Sequence, residues 1–155
     1  MNLELVPIGL DVDVEAVAAE IAPAYGGDAA MPREILVQTR NLLIRDPRPD
    51  PWGCYLARKR ENYIGACGFK SAPDAQGAVE IAYTTFPFYG GRGWARAMTA
   101  ALTSRAFEAG APLVVAHTLP EENASSRCLR RNGFAFAGEV VDPEDGPVWR
   151  WEKRP

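Results

Sequence analysis

Basic residues form no cluster in this sequence, and long apolar runs are absent as well. Of the 155 residues, 17 are Lys or Arg and 20 are Asp or Glu, which gives a formal charge of −3. A nucleic-acid-binding protein needs a basic stripe, so this class is disfavoured. No apolar stretch approaches the roughly 20 residues that cross a bilayer. The first residues lack the basic and apolar segments of a signal peptide, and we therefore expect a cytoplasmic protein.

Cysteine and histidine are also scarce. The three cysteines, Cys54, Cys67 and Cys128, form no CxxC pair, and His117 is the single histidine. An odd number of isolated cysteines predicts free thiols in a reducing compartment, without a disulfide framework. The lack of a Cys/His cluster predicts that the protein uses no metal.

The residues that are present have the balance of a globular chain. Apolar residues make up 47% and charged residues 24%, which is enough apolar material for a core. The length predicts one domain spanning residues 1–155. The patterns predict a strand, two helices, three strands, a helix, a strand, a helix and a closing pair of strands at 134–140 and 148–153. We therefore expect an α/β (α+β) fold in which helices cover both faces of a sheet.

Several side chains have predicted roles in this framework. Asp11 or Asp13 is placed to cap the first helix. Trp149 and Trp151 alternate on the last strand, so both point to one face, where they either pack in the core or cover a pocket or partner surface.

The most informative segment runs from Glu80 to Leu102 and reads as a strand, a glycine-rich turn and a helix. Gly90, Gly91 and Gly93 allow close approach to the backbone. The helix that follows supplies unpaired N–H groups and the positive end of its dipole. These features suit a pyrophosphate, although a flexible turn is the simpler interpretation of GGRG alone.

Two common phosphate-binding motifs do not fit this turn. A P-loop requires Gly-Lys followed by Ser or Thr, which is absent. A Rossmann fingerprint starting at Gly91 would require its third glycine at Arg96.

Two segments make the sequence similar to a known family. Gly93 and Ala95 stand where the GNAT N-acetyltransferases have the Gly and the Gly-or-Ala of their pyrophosphate loop, although Gly90 replaces the usual Gln or Arg. Residues 116–134 resemble the second signature of the family, an Asn near a Ser at the start of the fourth helix, ending in Gly-Phe. The order of elements also matches. The chain therefore resembles the GNAT family, especially the branch of the ribosomal-protein alanine acetyltransferases.

The resemblance implies a fold and an activity. The GNAT fold has a central mixed, mostly antiparallel seven-stranded sheet with helices on both faces. Its members transfer the acetyl group of acetyl-CoA directly to a primary amine of a protein N-terminus or a small molecule. We expect no nucleic acid or membrane partner, and a homodimer is left open. Two alternatives are a catalytically silent domain that binds acyl-CoA as a sensor, and a nucleotide-binding module that prefers a dinucleotide to CoA.

The resemblance also assigns coenzyme contacts to three groups of residues: the end of a strand, the glycine-rich turn, and the start of the last helix. In order, these are Thr84, Thr85 and Phe86; Gly90, Gly91, Arg92, Gly93, Trp94 and Ala95; and Asn123 with Ser125. In the first group the strand should diverge from its neighbour, and a backbone N–H should stabilise the oxyanion.

The start of the last helix allows two alignments with the family. Counting back from the Gly-Phe pair makes Ser125 the matching serine and places Glu122 in the Asn position, with Asn123 one position late. Taking Asn123 as the match makes Ser126 its partner and shortens the helix by one residue. We adopt Ser125, and Asn123 then either contacts the coenzyme or only caps the helix.

Candidate catalytic residues follow from the chemistry. Amines must lose a proton before they attack, and Glu80 lies where some family members carry a general-base glutamate. The tyrosine that many members use to protonate the thiolate is missing, because Leu129 occupies its place. Tyr83, Tyr89, His117 and water remain as candidates for that step.

Overall fold

The computed structural model describes residues 2–155 and contains the predicted succession of elements. The strands are β1 (Glu4–Pro7), β2 (Cys54–Lys59), β3 (Asn62–Phe69), β4 (Val79–Thr85), β5 (Val114–Thr118), β6 (Ala135–Asp142) and β7 (Gly146–Lys153). The helices are α1 (Val14–Ile21), α2 (Ala30–Arg45), α3 (Trp94–Glu108) and α4 (Ala124–Arg131). The seven strands form one sheet in the order β1-β2-β3-β4-β5-β7-β6. Every neighbouring pair is antiparallel except β4 and β5, so the predicted mixed, mostly antiparallel sheet is confirmed.

Apolar side chains on the two sides of the sheet form two cores. One core lies under α3 and α4 and includes Met98, Leu102 and Leu129. The other lies under α1 and α2 and includes Ile21 and Leu36. Helices therefore cover both faces, as the composition and element order predicted.

The closing hairpin is longer than predicted. Its strands extend to Asp142 and start again at Gly146, because the Asp142 side chain organises the turn between them. Asp142 Oδ1 accepts hydrogen bonds from the backbone N–H groups of Glu144 at 2.8 Å and Asp145 at 3.0 Å. Trp151 is fully buried and Trp149 packs against the same core, so both tryptophans contribute to packing on one face.

Helix α1 is capped by the second of the two candidate aspartates. Asp13 Oδ1 accepts a hydrogen bond from the N–H of Ala16 at 3.1 Å, which satisfies one of the open donors of the first turn. Two short 3₁₀ turns, Ala22–Tyr25 and Pro87–Tyr89, were not predicted.

A buried arginine anchors the end of α2. The Arg48 side chain is fully buried, and its guanidinium donates to the carbonyl of Phe69 at 2.7 Å and to Asp46 Oδ2 at 2.7 Å. This contact joins the segment after α2 to the end of β3. Near its other end α2 is joined to α1 by Arg33, whose guanidinium donates to the Glu15 carboxylate at 2.8 Å in an exposed pair.

The parallel strands β4 and β5 separate soon after they meet. Their pairing is limited to Val79 with Val114 and Glu80 with Val115. Beyond Glu80, β4 remains paired with β3, and β5 remains paired with β7 as far as Thr118. The predicted divergence is therefore present, but it begins earlier than the expected 84–86. It leaves a gap that passes through the sheet.

Candidate active site

The gap between β4 and β5 forms a cleft of about 480 Å³. Its walls come from β4, from the end of β5, from the start of α4 and from the β6–β7 turn. The predicted site residues Glu80, Tyr83, His117, Asn123 and Ser125 all line it.

An acid–histidine pair lies at the base of the cleft. His117 Nδ1 is 3.0 Å from Glu80 Oε2, and the two side chains are 17% and 25% exposed. The pairing of Glu80 with Val115 places His117 two residues further along the neighbouring strand, on the same face. With its proton on Nδ1, His117 donates to the Glu80 carboxylate, and this tautomer leaves a lone pair on Nε2. Nε2 is buried and has no hydrogen-bond partner among residues 2–155.

A lysine completes this group, and the sequence analysis did not identify it. Lys70 Nζ lies 3.3 Å from the same Glu80 oxygen. Burial lowers the pKa of Lys70, but attraction to Glu80 outweighs it, so the net pKa is raised and the ammonium keeps its charge. Lys70 follows β3, and no spacing in the sequence indicates that it meets Glu80.

Tyr83 lies on the opposite face of β4, toward α3 and α4. Burial is the main cause that raises the pKa of its phenol, with a further contribution from the thiol of Cys128. The hydroxyls of Thr99 and Ser125 are its other polar neighbours. Tyr83 thus approaches α4 from the sheet, whereas Leu129 on α4 is fully buried in the core.

The divergence also determines which β4 amides are open to the cleft. The N–H of Phe86 donates to the carbonyl of Ile64 on β3 at 2.9 Å, and the carbonyl of Glu80 accepts from Lys70 N–H at 2.9 Å. Even-numbered β4 residues therefore direct their backbone groups toward β3. The odd-numbered residues Ile81, Tyr83 and Thr85 direct theirs toward the side that β5 has left.

This alternation corrects part of the predicted donor set. Among Thr84, Thr85 and Phe86, only Thr85 has its N–H on the cleft side, because the other two direct theirs toward β3. The amide of Tyr83 was not considered as a donor, although the alternation of backbone directions along β4 places it on the cleft side. Phe86 is a core residue, fully buried with its ring 5.5 Å from that of Tyr25.

The glycine-rich turn leads into α3 with a left-handed residue. Gly91 has φ +73° and Gly93, the N-cap, has φ +84°, a region that favours glycine. No side chain caps the helix, and its first turn contains no acidic residue. The first-turn amides, including those of Trp94 and Ala95, therefore have no side-chain cap among residues 2–155. The Arg92 guanidinium lies 5.2 Å from the centre of the Phe88 ring.

A cavity of about 750 Å³ lies beside this turn. Its lining includes Gly93 and Arg96 of α3 and Arg131 at the end of α4. Neither arginine forms an ion pair within residues 2–155. Neither arginine could be predicted from the sequence, because the two helices that bring them together are separate in the chain.

The start of α4 is closed by its own side chains. Asn123 Oδ1 accepts from Ser126 N–H at 2.9 Å, and Ser126 Oγ accepts from Asn123 N–H at 2.8 Å, which forms a capping box. Glu122 forms an exposed ion pair with Arg130, whose Nη1 lies 2.5 Å from its carboxylate. Asn123 therefore caps the helix and also faces the cleft, while the buried Ser126 is its partner.

A second cavity, which we call the α2 groove, lies between α2 and the sheet and measures about 560 Å³. It shares Lys70, Ala82 and Tyr83 with the cleft, so the two spaces adjoin each other.

Comparison with known proteins shows the family to which this chain belongs. The sequence profile of the acetyltransferase (GNAT) domain matches residues 2–135. This chain belongs to the GNAT acetyltransferase family. No curated protein matches it by sequence.

Solved structures share the fold of this GNAT acetyltransferase. The Salmonella typhimurium acetyltransferase that modifies the N-terminal serine of a 50S ribosomal subunit protein is 18% identical with a TM-score of 0.70, covering 100% of this chain and 96% of its own. A chimeric spermidine N-acetyltransferase SpeG from Vibrio cholerae and hSSAT is 16% identical with a TM-score of 0.74, covering 99% and 96%. The microcin self-immunity acetyltransferase MccE, solved with acetyl-CoA and AMP, is 15% identical with a TM-score of 0.72, covering 99% and 92%.

The GNAT chain holds no metal-binding group and no membrane-spanning helix in the part that the structure describes. No cluster of three His, Cys, Asp or Glu residues within 2–155 could bind a metal ion. Within the same range, no helix is both long and apolar enough to cross a membrane. The three cysteines are unpaired.

Proposed function

We propose that this protein transfers the acetyl group of acetyl-CoA directly to a primary amine. The observation that carries the proposal is the divergence of β4 and β5. It creates a cleft with open β4 amides along one wall and the Glu80–His117 pair at its base.

Acetyl-CoA fits the polar groups that lie between the start of α3 and the cleft. A pyrophosphate is favoured at the start of α3, where the first-turn amides have no side-chain cap. Arg96 and Arg131 add positive charge in the adjoining cavity for further phosphate oxygens. The pantetheine arm can pair with the cleft-side backbone of β4 as an added strand would.

The Glu80–His117 pair is the proton acceptor in this proposal. A lysine amine has a pKa of about 10.4 and an α-amine about 7.7–8.0, so an acceptor arrives mainly protonated at neutral pH. Glu80, the more exposed member of the pair, takes the proton directly or through water, and His117 Nδ1 at 3.0 Å holds its carboxylate in the cleft. Lys70 holds the Glu80 carboxylate in place.

The transfer then balances without a covalent enzyme intermediate. The amine nitrogen bonds to the acetyl carbon, and the amide of Tyr83 or Thr85 stabilises the oxyanion. The carbon–sulfur bond breaks, the nitrogen gives its second proton to solvent, and the departing thiolate takes a proton from solvent. An ordinary thiol has a pKa of about 8.5, so this is a fair leaving group. The raised pKa of Tyr83 makes its phenol a poor acid for the step.

The cysteines support direct transfer. Burial raises the pKa of Cys67 to about 12, which keeps its thiol protonated. Cys128 has Thr99, Asn132 and Tyr83 as its hydrogen-bonding neighbours, and no basic partner within the described residues 2–155. The unpaired thiols also support a cytoplasmic setting, and we treat residues 1–155 as a single domain.

The test is acetyl-CoA consumption with a panel of amines, using Glu80→Gln, His117→Gln and the double variant. General acid–base help is worth about 10²–10⁴-fold, so each single variant should lose that much turnover while acetyl-CoA affinity stays within twofold. The double variant should lose no more than the worse single one, because the two residues act as a unit.

The control is Glu152→Gln, which removes a carboxylate of similar exposure, 22%, that pairs with Arg150 outside the cleft. It should retain turnover. If acetyl-CoA binds but no amine of the panel is acetylated, the chain is a coenzyme-binding sensor. Full turnover in Glu80→Gln would remove the pair from the mechanism.

A further inference from the structure

We infer that the acceptor of this enzyme is a primary amine on an apolar body that carries no second cationic group. The inference rests on the proposed acetyl transfer and deepens it. It follows from the shape, lining and charge of the α2 groove.

The groove is where the acceptor body must lie. It joins the cleft at Lys70, Ala82 and Tyr83, and it lies on the sheet face to which Glu80 and His117 point. An amine that reaches the Glu80–His117 pair from this side leaves the rest of the molecule in the groove. At about 560 Å³, the space has the size of a small-molecule site.

The lining of the groove is mainly apolar. Ile35, Thr39 and Leu42 form its helical wall, at the i, i+4 and i+7 positions of α2. The sheet contributes Ala66 and Ala82 among others. All three α2 side chains are only half-buried although they face the protein, so the groove leaves apolar surface for a ligand to cover.

The charges at the groove disfavour a polycation. Two of its lining residues, Arg45 and Lys70, are cationic, and Arg45 forms no ion pair within residues 2–155. Glu144, on the exposed β6–β7 turn, is the one carboxylate among the lining residues. Away from Glu144 on this exposed turn, a second ammonium on the acceptor would lie against apolar walls or beside Arg45, and both positions are unfavourable.

The first test compares kcat/KM of the wild-type protein for three acceptors. These are 2-phenylethylamine, a short peptide with an N-terminal leucine and no lysine, and spermidine. Both apolar monoamines belong to the inferred class. The ratio of their kcat/KM values shows whether the enzyme prefers a free amine or a peptide N-terminus. We expect the better of them to exceed spermidine at least tenfold. Preference for spermidine, with transfer intact, would overturn the inference and leave the proposed function standing.

The second test changes the wall of the groove. Leu42→Glu places a carboxylate in the groove, whereas the matched control Ile44→Glu places one on the outer side of α2, where Ile44 is 60% exposed. Leu42→Glu should raise KM for the better monoamine at least tenfold with kcat within threefold, and should lower KM for spermidine. Ile44→Glu should change neither.

Thr39→Leu provides a second variant that keeps the groove apolar, in case Leu42→Glu does not fold. It should improve kcat/KM for the monoamines relative to spermidine, and an unchanged ratio would contradict the inference. Failure of acetyl-CoA binding together with failure of transfer to all three amines would overturn the inference and the proposed function together.

Discussion

Helices α3 and α4 lie on the same face of the sheet but begin in opposite ways. The first turn of α4 is closed by the reciprocal hydrogen bonds of Asn123 and Ser126. The first turn of α3 follows Gly93, which has no side chain to offer, and no other residue caps it. Leaving donors open has an energetic cost unless water or a ligand satisfies them. The contrast supports our proposal that the α3 turn binds the coenzyme, whereas the capping box stabilises the start of α4.

The most severe test of this contrast is Gly93→Val. A β-branched residue at φ +84° is strained and blocks close approach to the backbone. We expect acetyl-CoA affinity to fall at least about tenfold, or about 1.4 kcal/mol, measured by calorimetry. Gly110→Val is the matched control, since Gly110 follows the other end of α3 with φ +92°. It should lose similar stability and keep its affinity. Equal affinity in the two variants would end the assignment of the turn.

Asn123→Ala tests the other side of the comparison. Loss of the cap should lower the free energy of unfolding by about 1 kcal/mol, measured by urea denaturation, with acetyl-CoA affinity changed less than twofold. Asp13→Ala removes the cap of α1 away from the cleft and should cost about the same. If affinity falls only in Asn123→Ala, the residue contacts the coenzyme and α4 binds as α3 does.

Tyr83→Phe tests whether the phenol that lies between the cleft and helices α3 and α4 protonates the CoA thiolate. The structure gives this phenol a raised pKa, so its proton is held too tightly for efficient donation to a thiolate. Single-turnover transfer at saturating acetyl-CoA should slow less than about tenfold, under about 1.4 kcal/mol of barrier. A loss of about a hundredfold, with fold and coenzyme affinity retained, would make Tyr83 the acid that protonates CoA.

The smallest effect should come from Arg92→Gln. Arg92 is exposed and stacks on Phe88, so its contact with a phosphate is screened by water and salt. We expect acetyl-CoA affinity to fall less than about fivefold, and the loss to shrink as salt rises. Arg40→Gln, on α2 across the sheet, should leave affinity unchanged. A loss as large as that of Gly93→Val would show that side-chain charge, rather than the open amides, dominates the α3 site.

Local patterns predicted the order of the elements because each depends on neighbouring residues. Alternation, capping residues and glycine positions identified the strands, α1 and the turn before α3. The capping partner of Asn123 was harder to predict than these elements, because Ser125 and Ser126 are adjacent in the sequence. Only the geometry of the helix decides which serine bonds to Asn123.

Individual residues of the candidate site were predicted from the sequence, but the contacts between them were not. Glu80 and His117 were proposed separately, since their contact depends on the register of two parallel strands 37 residues apart. Lys70 was missed because it meets Glu80 through the register of the antiparallel strands β3 and β4. Backbone N–H groups alternate in direction along β4, so either Thr84 or Thr85 faces the cleft. To decide which one does, at least one β4 hydrogen bond and its partner strand must be known.

The anchoring of α2 has a consequence for how an acceptor would enter. The fully buried Arg48 joins the end of this helix to β3, and the Arg33–Glu15 pair joins its beginning to α1. With both ends held, we expect the α2 groove to keep its width when empty, so that binding requires little rearrangement of the protein. The conformational entropy that is lost on binding is then mainly that of the acceptor. Stiff aromatic amines should therefore gain over flexible chains that offer the same apolar area.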